Sequence, residues 1–405
     1  MKKRCLLVSP DFPPPLIGGS LVYISTLVEN SNEEFDIVTC LNTQNRAELL
    51  KLPHNLLRSS FIVNSNNPKK LSLIKMYLYI FFYIPILIIF RNYKVIVANG
   101  GVIANAILFF LGKAFKIKVI GISYGEELNV PLKNRNFKNS IKRKIINYSY
   151  KKASGFIVVC HFCKNLLVEN FHVNPEKIDV IPSCLSRVKT SNKSKLQKKK
   201  NSILSVGRLI ERKGFHLLID SVSRLKSNVK NLTLTIIGDG PYKSFLEEII
   251  TKNNADSFIK LLDNVSEDSL QKLYMQSELF VLANHELENG DTEGCPSVFS
   301  EAMLYDLPLV GGKFAGVETA IINNENGLVV DVKNESELDA AILKILKDKS
   351  YSEFLSLNGK RKLTRDHLPE VVGELFKNSI SRFLEDKPAK DFQKKFNSST
   401  PSIII

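Results

Sequence analysis

The residues best placed to do chemistry are two cations, two carboxylates and one helix start. Arg208 and Lys213 lie in "SVGRLIERKGFHLL", between an apolar strand pattern at Ile203, Leu204 and Val206 and a helical one through Phe215, Leu217, Leu218, Ile219 and Val222. A basic pair in a strand-to-helix turn sits at the carboxyl edge of an open α/β sheet, where ligands bind. Glu293 and Glu301 lie in "DTEGCPSVFSEAM", residues 291–303. Pro296 suits the first helical position, and Val298, Phe299, Ala302 and Met303 continue a helical pattern. The helix is therefore expected to begin near Cys295 to Ser297, and its unpaired N–H groups and dipole make an anion site.

A diphosphate leaving a sugar develops negative charge, which a metal or an array of fixed cations and dipoles must stabilise. The sequence has no Asp-x-Asp metal motif, "DTE" at 291–293 being the nearest approach. Arg208, Lys213 and the helix start are read as taking the ion's place. Glu293 would then reach a sugar's hydroxyls and Glu301 a ribose diol. Taken singly, Glu301 would pass for an exposed helix residue; the basic pair changes the balance. Gly18 and Gly19 in "DFPPPLIGGS" precede another helical pattern, and glycines let backbone N–H groups approach a phosphate or sugar closely. Cys160 and Cys163 form a C-x-x-C, but no second pair completes four zinc ligands.

The elements that must position these groups alternate strand and helix. Strands are predicted at 4–8, 35–40, 94–98, 117–122, 155–159 and 178–181, then at 202–206, 232–237, 258–262, 279–282, 307–311 and 327–330. Helices are predicted at 214–226, 241–253, 267–276, 297–305 and 335–347 in the second half. The fold class that follows is α/β, with two doubly wound parallel sheets facing across a cleft. The expected boundaries are a first domain at 1–187, a basic linker at 188–201, a second domain at 202–365, a helix at 366–386 crossing back to the first domain, and a loose tail at 387–405.

Composition narrows the partners. A chain of 405 residues with 44% hydrophobic and 24% charged residues is an ordinary globular protein, but its net charge of +15 predicts an anionic partner. Residues 133–152 hold eight basic side chains and no acid, with Phe137, Ile141, Ile145, Ile146 and Tyr148 among them, the pattern of a basic amphipathic helix on anionic lipid. A solvated helix face is the plain alternative. Residues 187–200 hold seven basic side chains without an apolar face and read as linker. Residues 71–90 are long and apolar enough to span a bilayer. A span would put the strands at 4–8 and 94–98 on opposite sides, so a helix covered by the sheet and by a membrane surface is expected instead. No secretory signal precedes Pro10, which predicts reduced cytosolic thiols. Nucleic acid is disfavoured because the basic runs are read as lacking interleaved surface aromatics.

In order along the chain, "PPPLIGG", "SYGEEL", "VVCHFCKNLL", "IDVIPSC", "ILSVGRLIERKGFHLLIDSV", "LTIIGDGPYKSFLEEI", "DSLQKLYMQSELFVLAN", "EGCPSVFSEAM" and "NENGLVVD" resemble the retaining glycosyltransferase family 4, of the GT-B fold, over about residues 8–331. The resemblance implies a UDP- or GDP-linked sugar donor held mainly by the second domain and a saccharide or lipid-linked acceptor held mainly by the first. It implies no cofactor and no essential metal. Arg208 and Lys213 match the family's diphosphate-binding pair, and Glu293 and Glu301 its two glutamates. Gly294, Cys295, Pro296, Ser297 and Val298 fall where the family's backbone amides meet the donor, Gly18 and Gly19 match its glycine loop, and Asn264 and Val265 would lie near the nucleobase. Tyr124 stands where many members have histidine. A phenol cannot do imidazole's proton chemistry near neutral pH, so Glu126 or Glu127 is expected to contact the sugar or acceptor. Cys295 and Pro296 replace an aromatic residue and a glycine, which leaves the donor sugar open.

The resemblance thus implies transfer with retention of anomeric configuration, in surface polysaccharide, lipopolysaccharide or exopolysaccharide synthesis, at the cytoplasmic face of the inner membrane. Two other readings remain. A sugar-nucleotide epimerase would call for additional acid/base histidines, and none is read as placed for it; a non-catalytic sugar-nucleotide or membrane-binding protein is permitted by Tyr124.

Overall fold

The structure, a computed structural model, describes residues 5–12, 18–40, 54–62, 70–185 and 196–387. The described residues up to 185 and from 369 onward form one compact unit, and those from 196 to 368 form the other. The Pro-rich stretch at 13–17, most of the basic run at 187–200 and the residues beyond Lys387 lie outside the described residues.

Unit 1 is a seven-stranded sheet in the order β3-β2-β1-β4-β5-β6-β7, all pairs parallel. Its strands are β1 Cys5–Val8, β2 Phe35–Cys40, β3 Asn55–Ser59, β4 Val95–Ala98, β5 Lys118–Ser123, β6 Gly155–Val158 and β7 Ile178–Val180. Strands β1 and β4 are buried along their whole length, as a parallel sheet covered on both faces requires. The chain winds outward from β1 to β3, then returns to β4 and winds the other way. Right-handed crossovers therefore place helix Gly19–Asn30 on one face and helices Lys70–Arg91, Gly101–Ala114 and Phe137–Ser149 on the other. The predicted strands are present within two residues at each end; β3, a half-exposed edge strand without β-branched residues, was not legible.

The last helix, Pro369–Leu384, packs on Gly19–Asn30. Gly373 permits the contact, because a Cβ there would stand 2.2 Å from the Asn30 carbonyl oxygen. Arg382 Nη2 and Nε reach the Asp179 carboxylate at 2.8 and 3.1 Å, with both side chains buried. This ties the helix to β7.

Unit 2 repeats the plan with six parallel strands in the order β10-β9-β8-β11-β12-β13. They are β8 Ser202–Val206, β9 Thr233–Ile237, β10 Ile259–Leu262, β11 Leu279–Leu282, β12 Leu309–Gly312 and β13 Leu328–Val330. All five predicted helices form, the last at Glu335–Lys347. Helices Val317–Ala320 and Lys349–Lys362 were not predicted; the latter is polar and buries only Leu355, Gly359 and Lys362, which gives a weak periodic signal. The described end of the basic linker is fastened to this unit: Lys199 N donates to Gln276 O at 2.7 Å and Lys198 Nζ to Asp306 O at 2.8 Å.

Candidate functional site

The winding reverses between β8 and β11, which lie side by side with Ile203 opposite Leu279. Loops leaving two such strands diverge and open a crevice at their carboxyl ends. The loop after β8 carries the short 3-10 turn Glu211–Lys213, and the loop after β11 carries Glu293. Gly214 ends the turn at φ 66°, and a Cβ there would stand 1.7 Å from Ala283 O. Only glycine allows that approach. His285 N donates to Arg212 O at 2.9 Å and locks the two loops together.

Glu293 is buried and both its oxygens are engaged. Oε1 accepts from Arg212 Nε at 2.7 Å, and Oε2 lies 3.0 Å from Lys213 Nζ. Arg212 Nη1 also reaches the Asp291 carboxylate at 3.0 and 3.1 Å. Burial alone would raise the Glu293 pKa, but Lys213 and Arg212 outweigh it and hold the carboxyl below its ordinary range. Lys213 spends one N–H on Glu293 and has two more to offer an anion. The acidic "DTE" run is thus engaged by Arg212.

Glu301 lies on helix Val298–Leu304, and its Oε2 accepts from the buried Tyr274 hydroxyl at 2.9 Å. Burial raises its pKa, against the pull of Tyr274 and Lys213. Lys213 therefore stands in the field of both glutamates. Tyr274 stacks on Tyr305 at 5.3 Å, which fixes the hydroxyl's aim.

Arg208 is placed differently from Lys213. It is exposed on the loop after β8; its carbonyl accepts from Ile210 N at 2.9 Å, and its guanidinium has no hydrogen bond or ion pair among the described residues. The cation bound to Glu293 is Arg212, which the sequence reading passed over; its signal was adjacency to Lys213 in "ERK". Helix Val298–Leu304 starts later than expected. Ser297 is the N-cap and Pro296 precedes it, donating nothing while its carbonyl accepts from Phe299 N at 3.3 Å. Gly294, Cys295, Ser297 and Val298 are half-buried and Pro296 is buried. No side chain caps the helix start. Asn264, at φ 50°, is exposed in the turn after β10, with Val265 half-buried beside it.

Histidines do stand at this edge, contrary to the sequence reading. His216 and His285 rings lie 5.7 Å apart, and burial lowers both pKa values. Asn284, between β11 and His285, buries both amide atoms without a hydrogen-bond partner among the described residues.

In unit 1 the reversal lies between β1 and β4, and a polar chain spans it. Tyr124 OH donates to Asn99 Oδ1 at 3.1 Å, and Asn99 Nδ2 donates to Ser9 Oγ at 3.0 Å. Burial, then the nearby Glu127, pushes the Tyr124 pKa up, so its hydroxyl stays a donor. Gly125 turns the chain at φ 101°, and the helix Glu126–Lys133 begins at once. That turn separates the two acids. Glu126 is exposed, whereas Glu127 folds back, accepting from Ser123 Oγ and, at 3.1 Å, from Tyr124 N, with its pKa raised by burial. Of the pair, Glu127 and not Glu126 is the inward carboxyl. Gly18 caps helix Gly19–Asn30 at φ 101°, and a Cβ on either glycine would meet nothing within 4 Å. Conformation, rather than crowding, is what calls for glycine at Gly18.

Two family models tile the chain: Glycosyltransferase Family 4 over residues 17–186 and Glycosyl transferases group 1 over residues 186–362. Among curated relatives, the capsular polysaccharide biosynthesis glycosyltransferase CapM of Staphylococcus aureus is 23% identical over 62% of this chain and 62% of its own length. A Campylobacter jejuni N-acetylgalactosamine-N,N'-diacetylbacillosaminyl-diphospho-undecaprenol 4-alpha-N-acetylgalactosaminyltransferase is 27% identical over 59% of this chain and 65% of its own. The chain thus spans less than two thirds of either relative. In fold, a glycosyltransferase from Rickettsia africae matches with a TM-score of 0.71 at 18% identity, covering 95% of this chain and 98% of that one. The Anabaena protein HepE, solved with UDP, matches at 0.70 and 16% identity, covering 94% and 100%.

Proposed function

Since the chain belongs to glycosyltransferase family 4, with the GT-B fold of two parallel-sheet α/β units, we propose that it transfers a sugar from a nucleotide-diphosphate donor to a saccharide or lipid-linked acceptor, with retention of configuration and no essential metal. The observation that carries this is the convergence of Lys213, Arg212, Glu293 and Glu301 at the carboxyl edge of β8 and β11. A pre-set cation beside two carboxylates suits a ligand with a diphosphate flanked by two polyols.

In this reading Lys213 turns its remaining N–H groups to the diphosphate, and Arg208, exposed and unpaired among the described residues, closes on the same charge. Glu293 accepts from the donor sugar's hydroxyls, Glu301 from the ribose, and the turn at Asn264 and Val265 borders the base. The bond from the anomeric carbon to the phosphate oxygen breaks while the acceptor hydroxyl oxygen bonds that carbon from the same face. The acceptor's proton passes to the departing phosphate, so no protein base is needed. In unit 1, the Gly18–Gly19 loop serves the donor and the Tyr124–Glu127 turn receives the acceptor. Work at the cytoplasmic face of an anionic membrane, in surface polysaccharide synthesis, fits the basic balance and the names of the relatives.

A thermal-shift screen over UDP- and GDP-sugars tests the reading, because a ligand that binds only the folded state raises its melting temperature. A rise with one nucleotide family, lost in Lys213→Ala, supports it; no rise with any contradicts it. The His216–His285 pair favours keeping one alternative, a sugar-nucleotide epimerase. Recovery of an epimerised sugar nucleotide without an acceptor would select that reading.

A further inference from the structure

We propose that the face of unit 1 built by helices Lys70–Arg91, Gly101–Ala114 and Phe137–Ser149 docks in the plane of an anionic bilayer, with Lys70–Arg91 lying along the interface instead of crossing it. The inference deepens the membrane location given above and rests on that location, but not on the transfer reaction.

Charge points to the occupant. Residues 49–168 contain nineteen lysines and arginines against two acids, Glu126 and Glu127, a balance of +17 that exceeds the +15 of the entire chain. Helix Gly101–Ala114 packs on both other helices, so the three form one layer on one face of the sheet.

Each outer helix presents an apolar stripe to solvent. Leu71, Leu78, Phe82 and Ile89 are 64, 52, 64 and 65% exposed. At 100° per residue they fall within about 20° of one line. Met76, Ile80, Ile84 and Leu87 form the opposite, buried stripe. On the basic helix, Phe137, Ile141 and Tyr148 are 83, 43 and 74% exposed on one stripe, while Asn139, Ile146 and Ser149 are buried. Exposed Lys138, Lys144 and Lys151 flank that stripe, and Lys152 lies 3.5 Å over the Tyr148 ring. The basic run therefore does carry surface aromatics, which corrects the sequence reading. A nucleic acid would still leave the apolar side chains of Lys70–Arg91, beside the exposed Lys75, uncovered, and a second copy would set like charges together. A lipid surface satisfies both features.

Topology excludes a crossing. Strands β3 and β4 belong to one sheet and flank this helix in sequence, so both its ends must return to the same side. Its buried stripe is also engaged within unit 1.

The chain has no tryptophan, so single substitutions make clean probes. Leu71→Trp, Phe82→Trp, Ile89→Trp and Phe137→Trp replace exposed residues, with Phe354→Trp in unit 2 as control. Vesicles of phosphatidylcholine with phosphatidylglycerol should blue-shift the four probes and leave the control unmoved. Leu71 and Ile89 are about 27 Å apart along the helix axis. Lying in plane, they and Phe82 should be quenched equally by lipids brominated near the headgroup; a span would place Phe82 deepest and overturn the proposal. Removing Lys138, Lys144 and Lys151 together should weaken vesicle binding about 10²-fold, at roughly 1 kcal/mol per basic residue. Absence of any lipid-induced shift, an equal shift with oligonucleotides, or a concentration-dependent shift without lipid would each overturn it. Because nucleotide release from soluble donor is read separately, failure here is distinguishable from failure of the transferase reading.

Discussion

Arg212 Nε donates to Glu293 Oε1 at 2.7 Å, and so joins a loop of β8 to a loop of β11 across the switch point of unit 2. Arg208, four residues earlier, makes no such bond among the described residues. The two arginines should therefore separate in experiment. Arg212→Ala leaves Asp291 without its guanidinium and should lower thermal stability along with turnover. Arg208→Ala should lower turnover with the melting temperature unchanged, since its exposed side chain supports nothing in the fold. Paired melting and rate measurements check this, and a melting loss in Arg208→Ala would go against it.

Glu293→Gln puts an amide N–H₂ in place of one acceptor facing Lys213 and Arg212. Loss of this fixed charge, and the reorientation of Lys213 that follows, should cut donor turnover by about 10² to 10³-fold, the range for removing one preorganised electrostatic group. Circular dichroism should show the fold retained.

The two glutamates should respond to pH with opposite signs. The Glu293 pKa is held below its ordinary 4.5, so its contribution to stability is present above that pH and is lost as pH falls through the folded value. The Glu301 pKa is raised, so its contribution is full below 4.5 and is lost as pH rises through the folded value. Glu301→Gln keeps an acceptor for Tyr274 and removes the charge of a half-buried carboxyl. It should raise the melting temperature at pH 8, with the gain shrinking toward pH 5. Melting curves across that range decide it.

Arg382→Ala strands Asp179, a buried carboxylate on β7 itself. Breaking a buried pair from one side costs about 3–5 kcal/mol. Denaturant unfolding should show that loss, and the double variant Arg382→Met/Asp179→Leu should recover most of it.

Period and turn chemistry made both sheets legible, because buried parallel strands such as Leu279–Leu282 are continuous apolar runs between turn residues. The edge strand at Asn55–Ser59 and the polar helix at Lys349–Lys362 lack that signal. At the site, Lys213, Glu293 and Glu301 were legible from type and spacing. Arg212 was not, since which of two nearby arginines turns inward depends on the Gly214 turn pressing on Ala283. Glu126 and Glu127 pose the same problem: a single φ of 101° at Gly125 decides which carboxyl is inward, and sequence spacing does not report it.

Release of nucleotide diphosphate by the purified protein from UDP- and GDP-sugars, measured beside Lys213→Ala, tests the central claim most directly. The account predicts release with one nucleotide family by the native chain and a loss of at least about 10²-fold in the folded variant. Equal release by both proteins would contradict it.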